Sequence, residues 1–295
     1  MKQLLPLCAA VLLAACQSAP VAPAPAAPAA PAAPPKIGLA LGGGAARGFA
    51  HIGVIKMLEA QGIHPDVVVG TSAGSVAGVL YAAGNSGFEL QRMAFDLDSA
   101  MVTDWSVFGN GLIKGEALQN YIDKLVKNQP LQGMKIRFGC VTTRLRDGSG
   151  VLFERGDAGM AVRASSSVPG IFEPVTINGD EYVDGGLVSP VPARYARQMG
   201  ADFVIAVDVS TPPLATAATG KWDLLMRAYD IMGKNLRVAQ AADADVVIVP
   251  NLQGVASTDF DGKNKAILAG EEAVMAVLPQ LKEKLAARTP PATAH

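Results

Sequence analysis

Two patterns of hydrophobic residues follow each other along most of the chain: short continuous apolar runs, and longer segments with apolar residues at helical spacing. Short apolar runs at 37–41 and 67–69 predict buried β-strands, because a strand covered on both faces has no solvent side for polar residues. Apolar residues at intervals of three and four follow these runs and predict helices at 47–60 and 73–83. Strands that alternate with helices favour a mostly parallel sheet with helices on both faces.

The same two hydrophobic patterns, together with turn residues, predict the remaining elements. Asn178-Gly179 separates two β-rich runs between residues 173 and 183, which is the signal of a hairpin with a type I′ turn. The other predicted helices lie near 87–100, 115–128, 192–199, 221–241 and 263–287, and the other predicted strands near 135–143, 150–154, 203–209 and 246–249.

The first fifteen residues have the features of a secretory signal peptide. Lys2 precedes an uncharged, mostly apolar run that is shorter than the ~20 residues needed to span a bilayer. The run ends in Leu13-Ala14-Ala15-Cys16, which resembles the lipobox of bacterial lipoproteins. That resemblance implies acylation of Cys16, whereas an ordinary signal peptide with an incidental cysteine is the alternative. Gln17 is not aspartate, which in the enteric sorting pattern favours the outer membrane, facing the periplasm.

A Pro/Ala-rich segment separates the predicted anchor from the rest of the chain. Residues 18–35 are almost entirely proline and alanine, which cannot bury a core and favour extended polyproline II. We interpret residues 16–35 as a lipidated stalk or a disordered tether. Residues 36–290 show no second break of this kind and predict one domain, which a short tail at 291–295 follows.

Composition and cysteine count exclude several classes of function. The formal net charge is −1, which does not provide the basic face of a nucleic-acid-binding protein. Of three cysteines, Cys8 lies in the leader and Cys16 is the lipidation candidate. Cys140 is therefore left without an intrachain disulfide partner, and we interpret it as a small core residue. No histidine pair or acidic cluster has the spacing of metal ligands, so no metal or other cofactor is expected.

The segment Gly70-Thr71-Ser72-Ala73-Gly74 fits the nucleophile elbow G-x-S-x-G. In such an elbow a serine protrudes from a strained turn between a strand and a helix, and flanking glycines make that turn sterically accessible. The alternative is an ordinary small-residue turn. Its position between a predicted strand and a predicted helix favours Ser72 as a nucleophile, with Gly70 and Gly74 as the elbow glycines.

A second glycine-rich loop, Gly42–Gly48, lies between the first strand and the first helix. Amide N–H groups in such a loop can approach a ligand closely and form an oxyanion hole. A dinucleotide-binding loop is the competing interpretation. Counted from Gly42, however, the fingerprint G-x-G-x-x-G would require glycine where Arg47 stands. The next strand also ends in Val69-Gly70, without the acidic residue that binds a ribose.

The base for Ser72 is not an obvious histidine. Of the three histidines, only His295 follows Ser72 in the order of an α/β-hydrolase triad, and it ends a Pro/Ala-rich tail. His51 and His64 are interpreted as structural. Asp184 is the alternative base, because burial would raise the pKa of an aspartate towards neutrality. Asp184-Gly185-Gly186 is otherwise an ordinary turn after the hairpin.

Together these motifs resemble the patatin-like phospholipase family. The glycine loop with Arg47-Gly48, the elbow and Asp184-Gly185-Gly186 occur in the family's order. Two further segments, Ala50-His51-Ile52-Gly53-Val54 and residues 164–170, are also similar. Over residues 36–290 the resemblance implies a three-layer α/β/α fold and a histidine-free dyad. In that dyad Ser72 is the nucleophile, and Asp184 is the base that later protonates the leaving group.

The glycine loop departs from the family at one position. Aligned on Arg47-Gly48, the family's G-x-G-x-x-G falls on Gly43, Ala45 and Gly48, with alanine at the middle glycine. We predict that the oxyanion donors are the N–H groups of Gly43, Gly44 and Ala45, supported by Gly42 and Gly48. Arg47 either orients the loop, contacts an acidic group or is solvated.

The expected reaction is hydrolysis of acyl esters through an acyl-Ser72 intermediate. Phospholipids or lysophospholipids are the expected substrates, and the anchor would hold the enzyme near them at a membrane. A non-hydrolytic lipid-binding or scaffolding lipoprotein is the alternative from another class, and acyl transfer to an acceptor other than water is a third. The sequence does not specify an oligomeric state.

Overall fold

The computed structural model describes residues 33–97, 114–210 and 221–288. The predicted signal peptide, Cys16, the linker up to residue 32 and the tail with His295 lie outside the described residues. Within them, no helix is both long enough and apolar enough to cross a membrane. The single domain predicted for 36–290 and its boundaries stay predictions.

The described strands and helices alternate through most of the chain. The strands are β1 (Ile37–Leu41), β2 (Val67–Thr71), β3 (Arg137–Arg144), β4 (Gly150–Phe153), β5 (Val175–Ile177), β6 (Asp180–Asp184), β7 (Phe203–Val207) and β8 (Val246–Ile248). The helices are α1 (Ala50–Ala60), α2 (Ala73–Ala82), α3 (Gly87–Phe95), α4 (Glu116–Leu125), α5 (Ala158–Ser165), α6 (Ala193–Gln198), α7 (Lys221–Gln240) and α8 (Lys263–Arg288).

The strands form one mixed sheet in the order β5-β6-β3-β2-β1-β7-β8, and β4 also pairs with β3. Strands β3, β2, β1, β7 and β8 run parallel, whereas β4, β5 and β6 are joined by antiparallel pairings. The predicted α/β class with a mostly parallel central sheet flanked by helices is confirmed. The Asn178-Gly179 turn between β5 and β6 has positive φ at both residues (51° and 86°), as a type I′ turn requires.

Register brings three loops to one edge of the sheet. Leu41, the last residue of β1, pairs with Gly70, so the glycine loop and the elbow leave neighbouring strands side by side. Thr71, at the end of β2, pairs with Val141. Thr142, the next residue of β3, pairs with Asp184, the last residue of the antiparallel strand β6. Asp184 therefore reaches the same level of the sheet as the elbow.

The sheet separates two apolar layers, because successive side chains of a strand point to opposite faces. On one face the core includes Leu39, Leu41, Val68, Phe138, Phe203 and Ile205, together with α1, α2 and α8. On the other it includes Ala40, Val67, Val69, Val204 and Ala206, together with α6. Helices α1 and α8 contact each other at two glycines. A Cβ on Gly53 would lie 1.9 Å from the carbonyl oxygen of Ile267, so only glycine fits there.

Most predicted elements are confirmed, and four of the boundaries differ as follows. The helix predicted from residue 47 begins as a 3-10 turn, Ala45–Phe49, before α1 starts at Ala50. The prediction for 115–128 runs past the end of α4, where Lys127 and Asn128 adopt positive φ (57° and 55°) and end the helix. The strand predicted to reach residue 209 ends at Val207. For the helix predicted at 87–100, α3 ends at Phe95, and residues 98–100 lie outside the described ranges.

Helix α5 has no counterpart among the predicted elements. It contains only eight residues, too few for a helical period to stand out from its surroundings. Its start is fixed by Asp157, whose carboxylate accepts a hydrogen bond of 2.6 Å from the N–H of Met160, a local N-cap.

Candidate active site

Ser72 occupies a strained turn between β2 and α2. Its backbone has φ 53° and ψ −123°, a conformation that L-residues rarely adopt and that costs of order 1–3 kcal/mol. The Ser72 N–H donates to the hydroxyl of Ser165 at 2.9 Å, and the Ser72 carbonyl accepts from the hydroxyl of Ser75 at 2.6 Å. These contacts hold the backbone of the nucleophile elbow that the sequence predicts.

The two elbow glycines are required by close backbone contacts. A Cβ on Gly70 would lie 2.4 Å from the carbonyl oxygen of Gly74, and a Cβ on Gly74 would lie 2.0 Å from that of Leu41. Both distances are far below van der Waals contact. Helix α2 can therefore begin directly against the ends of β1 and β2 only because these positions lack side chains.

The glycine loop after β1 passes beside Ser72. A Cβ on Gly43 would lie 3.2 Å from the Cβ of Ser72. Two N–H groups of the loop are already used by the fold, since Gly42 donates to Val207 O and Gly43 donates to Pro190 O, both at 3.0 Å. Gly43 is therefore not an available oxyanion donor in this conformation, which corrects the predicted register.

The next two N–H groups of the loop, those of Gly44 and Ala45, make no hydrogen bond among the described residues. Ala45 begins the 3-10 turn and has φ 49°. An L-residue in this left-handed region costs roughly 1–2 kcal/mol, which explains why the family pattern has glycine here. Gly48 is close-packed, because a Cβ there would lie 2.6 Å from the Cβ of Ala73.

Asp184 is the last residue of β6, so it belongs to the strand and only Gly185 and Gly186 lie in the turn that follows. Its side chain is buried, with 1% exposure. Oδ1 accepts hydrogen bonds from the Gly186 N–H at 2.6 Å and from the Tyr229 hydroxyl at 3.2 Å. Oδ2 is buried and makes no hydrogen bond of ordinary geometry with any described residue.

Burial raises the pKa of Asp184 to about 6, and interactions with Gly186, Ser72 and Tyr229 offset part of that rise. The Ser72 hydroxyl thus lies close enough to stabilise the carboxylate, although Oδ2 lacks a hydrogen bond of full geometry. Asp184 is consequently ionised at neutral pH and is a stronger base than an exposed aspartate. The structure therefore brings Ser72 and Asp184 together, as the sequence predicts.

The C-terminal end of α5 and the residues that follow it contact both Ser72 and Asp184. The Ser165 hydroxyl accepts from Ser72 N and donates to Val141 O at 2.6 Å, and the Ser167 carbonyl accepts from Asp184 N at 2.9 Å. In the sequence this segment is similar to the corresponding family segment, but no role can be assigned to its serines. Its spacing alone does not show that one serine faces the elbow and another faces β6.

His51 supports the glycine loop and is not a base for Ser72. It is fully buried, and its Nε2 lies 2.7 Å from the carbonyl oxygen of Gly42. Burial lowers the pKa of His51 to about 4, so the ring is neutral and Nε2–H donates this bond. His64 is exposed in the turn before β2. His51 therefore has a structural role at the glycine loop, whereas the interpretation of His64 stays a prediction.

Arg47 is buried, with 9% exposure, which makes the solvated alternative wrong. Its Nε donates to the carbonyl oxygen of Gly44 at 3.3 Å, so the side chain orients the loop. Burial lowers the pKa of Arg47, and the nearby carboxylates of Asp230 and Asp208 oppose that effect. Asp208 also forms an ion pair of 3.1 Å with Arg237. The two arginines and the two aspartates therefore compensate each other's charge next to the glycine loop.

An apolar cavity opens beside the elbow and extends away from it between α2, α3 and α4. Ala45, Gly48 and Ala73 line the cavity next to the glycine loop and Ser72. The cavity has an empty volume of about 820 Å³, including its open mouth. Its other lining residues, apart from the hydroxyl of one tyrosine, contribute only apolar side chains: Phe49, Ile52, Val76, Ala77, Leu80, Leu90, Met93, Ala94, Leu97, Leu118, Tyr121 and Phe260.

Comparison with solved structures shows a similar fold. VipD from Legionella pneumophila superposes with a TM-score of 0.56 at 14% sequence identity, over 85% of this chain and 68% of that one. At such low identity the similarity concerns the fold alone.

Sequence comparison finds relatives that are longer than this chain. An NTE family protein of Mycobacterium tuberculosis is 34% identical over 179 residues, which cover 60% of this chain and 49% of the relative. Patatin-like phospholipase domain-containing protein 6 of Mus musculus is 31% identical over 242 residues, or 76% of this chain and 18% of the mouse protein. The chain thus spans about half the length of the mycobacterial relative and under a fifth of the mouse one.

The model of the patatin-like phospholipase family matches residues 39–197. This range is more than half of the chain, and it contains the glycine loop, the elbow and Asp184. The chain belongs to the patatin-like phospholipase family.

Proposed function

We propose that this protein is a serine hydrolase that cleaves acyl esters of phospholipids or lysophospholipids through an acyl-Ser72 intermediate. One observation carries the proposal: a buried carboxylate, whose pKa is raised to about 6, has one oxygen that makes no hydrogen bond to the described residues and lies beside a serine on a strained elbow. A relative named Lysophospholipase NTE1, from Meyerozyma guilliermondii, is 28% identical over 76% of this chain and 18% of its own length, which supports the substrate class.

The geometry supports a two-step reaction. Asp184 Oδ2 accepts the Ser72 proton while Oγ attacks the ester carbonyl, and the resulting oxyanion faces the N–H groups of Gly44 and Ala45. Collapse of the tetrahedral intermediate expels the alcohol, which takes the proton from Asp184. Water then attacks the acyl-enzyme and gives its proton to Asp184, and a second collapse returns that proton to Ser72 as the fatty acid leaves.

The apolar cavity is proposed to bind the acyl chain. Its walls beside Ala45 and Ala73 adjoin the oxyanion loop and Ser72, so an ester carbonyl at the elbow would place its chain along α2. Burial of methylene groups there contributes about 0.8 kcal/mol each. A non-hydrolytic scaffold would not need a strained serine beside a buried carboxylate whose Oδ2 has no hydrogen bond to a described residue, and each of these features costs stability.

A fluorophosphonate, which reacts with activated serines, tests the nucleophile and the base. We expect the wild-type protein to be labelled, Ser72→Ala not to be labelled, and Asp184→Asn to react about 10²–10⁴ times more slowly, as expected for loss of a general base. Ser149→Ala, in the turn before β4, is the control and should react like the wild type. Equal labelling of wild type and Ser72→Ala would contradict the proposed nucleophile.

Filling the cavity tests the proposed acyl site. Ala77 on α2 is buried and lines the cavity, so Ala77→Phe should shorten the space for a chain. We expect kcat/KM for long-chain esters to fall about tenfold or more, as loss of contacts for one or a few methylenes predicts, while acetyl esters remain substrates. Ala60→Phe, at the exposed end of α1, is the control. A uniform loss for all chain lengths would oppose this site.

We further propose that Cys16 carries a lipid anchor in the outer membrane, facing the periplasm, and that the Pro/Ala segment holds the domain near its substrate. Confinement to a membrane surface raises the effective substrate concentration. A Cys16→Ser variant should incorporate no labelled palmitate when expressed in a bacterial host and should leave the membrane fraction. Cys8→Ser, within the leader, should retain both properties. Palmitate incorporation by Cys16→Ser would refute the anchor.

A further inference from the structure

Tyr229 on α7 reaches the carboxylate of Asp184 from outside the residues that the family model matches. Its hydroxyl donates to Oδ1 at 3.2 Å, and α7 follows the matched range 39–197 by more than twenty residues. No sequence motif marks this tyrosine. Tyr229 thus contacts Asp184 from a helix that lies 45 residues further along the chain.

Gly186 makes room for this hydroxyl. A Cβ on Gly186 would lie 2.3 Å from the Tyr229 hydroxyl oxygen and 2.9 Å from Asp184 Oδ1. The same residue donates its N–H to Oδ1 at 2.6 Å. The second glycine of Asp184-Gly185-Gly186 therefore supplies one donor to the carboxylate and leaves the space through which the tyrosine supplies the other.

The two oxygens of Asp184 consequently have different environments. Oδ1 is held by two donors, whereas Oδ2 is buried without a hydrogen bond of ordinary geometry to the described residues. A carboxyl group with both oxygens equally solvated could rotate and present either one. We propose that Tyr229 is a positioning residue, which fixes Oδ1 and thereby keeps Oδ2 directed at Ser72 as the proton acceptor. This inference rests on the proposed function.

Few other groups around this pair can change charge near neutral pH. Burial raises the pKa of the Cys140 thiol on β3 to about 12, and the charge of Asp184 adds to that rise. Burial also raises the pKa of Tyr229 well above its ordinary value, and the charges of Asp184 and Asp230 add to that rise. Both groups stay protonated. Burial also raises the pKa of Asp230, on α7 itself, and the charges of Arg47 and Arg237 oppose that rise.

Loss of the Tyr229 hydroxyl should move the titration of Asp184 in a defined direction. The hydroxyl donates to the ionised carboxylate and lowers the pKa of Asp184. Its removal therefore raises that pKa, so the base becomes protonated at a higher pH. A tyrosine that only filled space would not affect the pH at which activity is lost.

The test is the pH dependence of kcat/KM between pH 5 and pH 9 for a soluble, uncharged ester. For Tyr229→Phe we expect the acid limb to move up by about one pH unit, the size expected for a hydrogen bond to a charged group. Activity should fall about fivefold at pH 6 and much less at pH 8.5. Tyr195→Phe is the matched control, since Tyr195 is buried and its hydroxyl likewise lies against a glycine, Gly150.

A second variant keeps the inference testable if Tyr229→Phe is poorly folded. In Gly186→Ala the new Cβ would displace the hydroxyl, and we expect an acid limb shifted in the same direction. An acid limb that does not move in a folded variant, or that moves to lower pH, would overturn the positioning role alone. A wild-type protein that neither hydrolyses the ester nor reacts with a fluorophosphonate would overturn the proposed function, and this inference with it.

Discussion

The candidate site depends on a carboxylate that is buried away from water and still ionised at neutral pH. Desolvation opposes that charge, and a few donors compensate: the N–H of Gly186 and the hydroxyl of Tyr229 on Oδ1, with the Ser72 hydroxyl nearby. Because the compensation is incomplete, the pKa of Asp184 rises to about 6. A carboxylate in this condition can take a proton from serine at neutral pH without the help of histidine.

The fold provides this arrangement through strand register and through glycines. Leu41 pairs with Gly70, and Thr142 pairs with Asp184, so three loops meet at one edge of the sheet. Missing side chains at Gly70 and Gly74 then let α2 begin against the strand ends. The resulting strain at Ser72 is balanced by the buried apolar layers on both faces of the sheet.

Features encoded by neighbouring residues could be predicted from the sequence, and features created by distant contacts could not. The elbow around Ser72 and the turn at Asn178-Gly179 are local, and the structure has both. The donor register was wrong at Gly43, because only the folded chain brings Pro190 to its N–H. The contact of Tyr229 with Asp184 joins residues 45 positions apart. A single sequence carries no signal for such a contact.

The most direct test of the account is the difference in unfolding free energy between Asp184→Asn and the wild type from pH 4 to pH 8. Because the folded pKa of about 6 lies above the ordinary value of 3.8, the folded wild type loses stability as Asp184 ionises, whereas the asparagine does not ionise. We predict that the variant gains about 2–3 kcal/mol relative to the wild type over this range, mostly below pH 7. A difference independent of pH, or one that favours the wild type as pH rises, would contradict a buried, destabilised base.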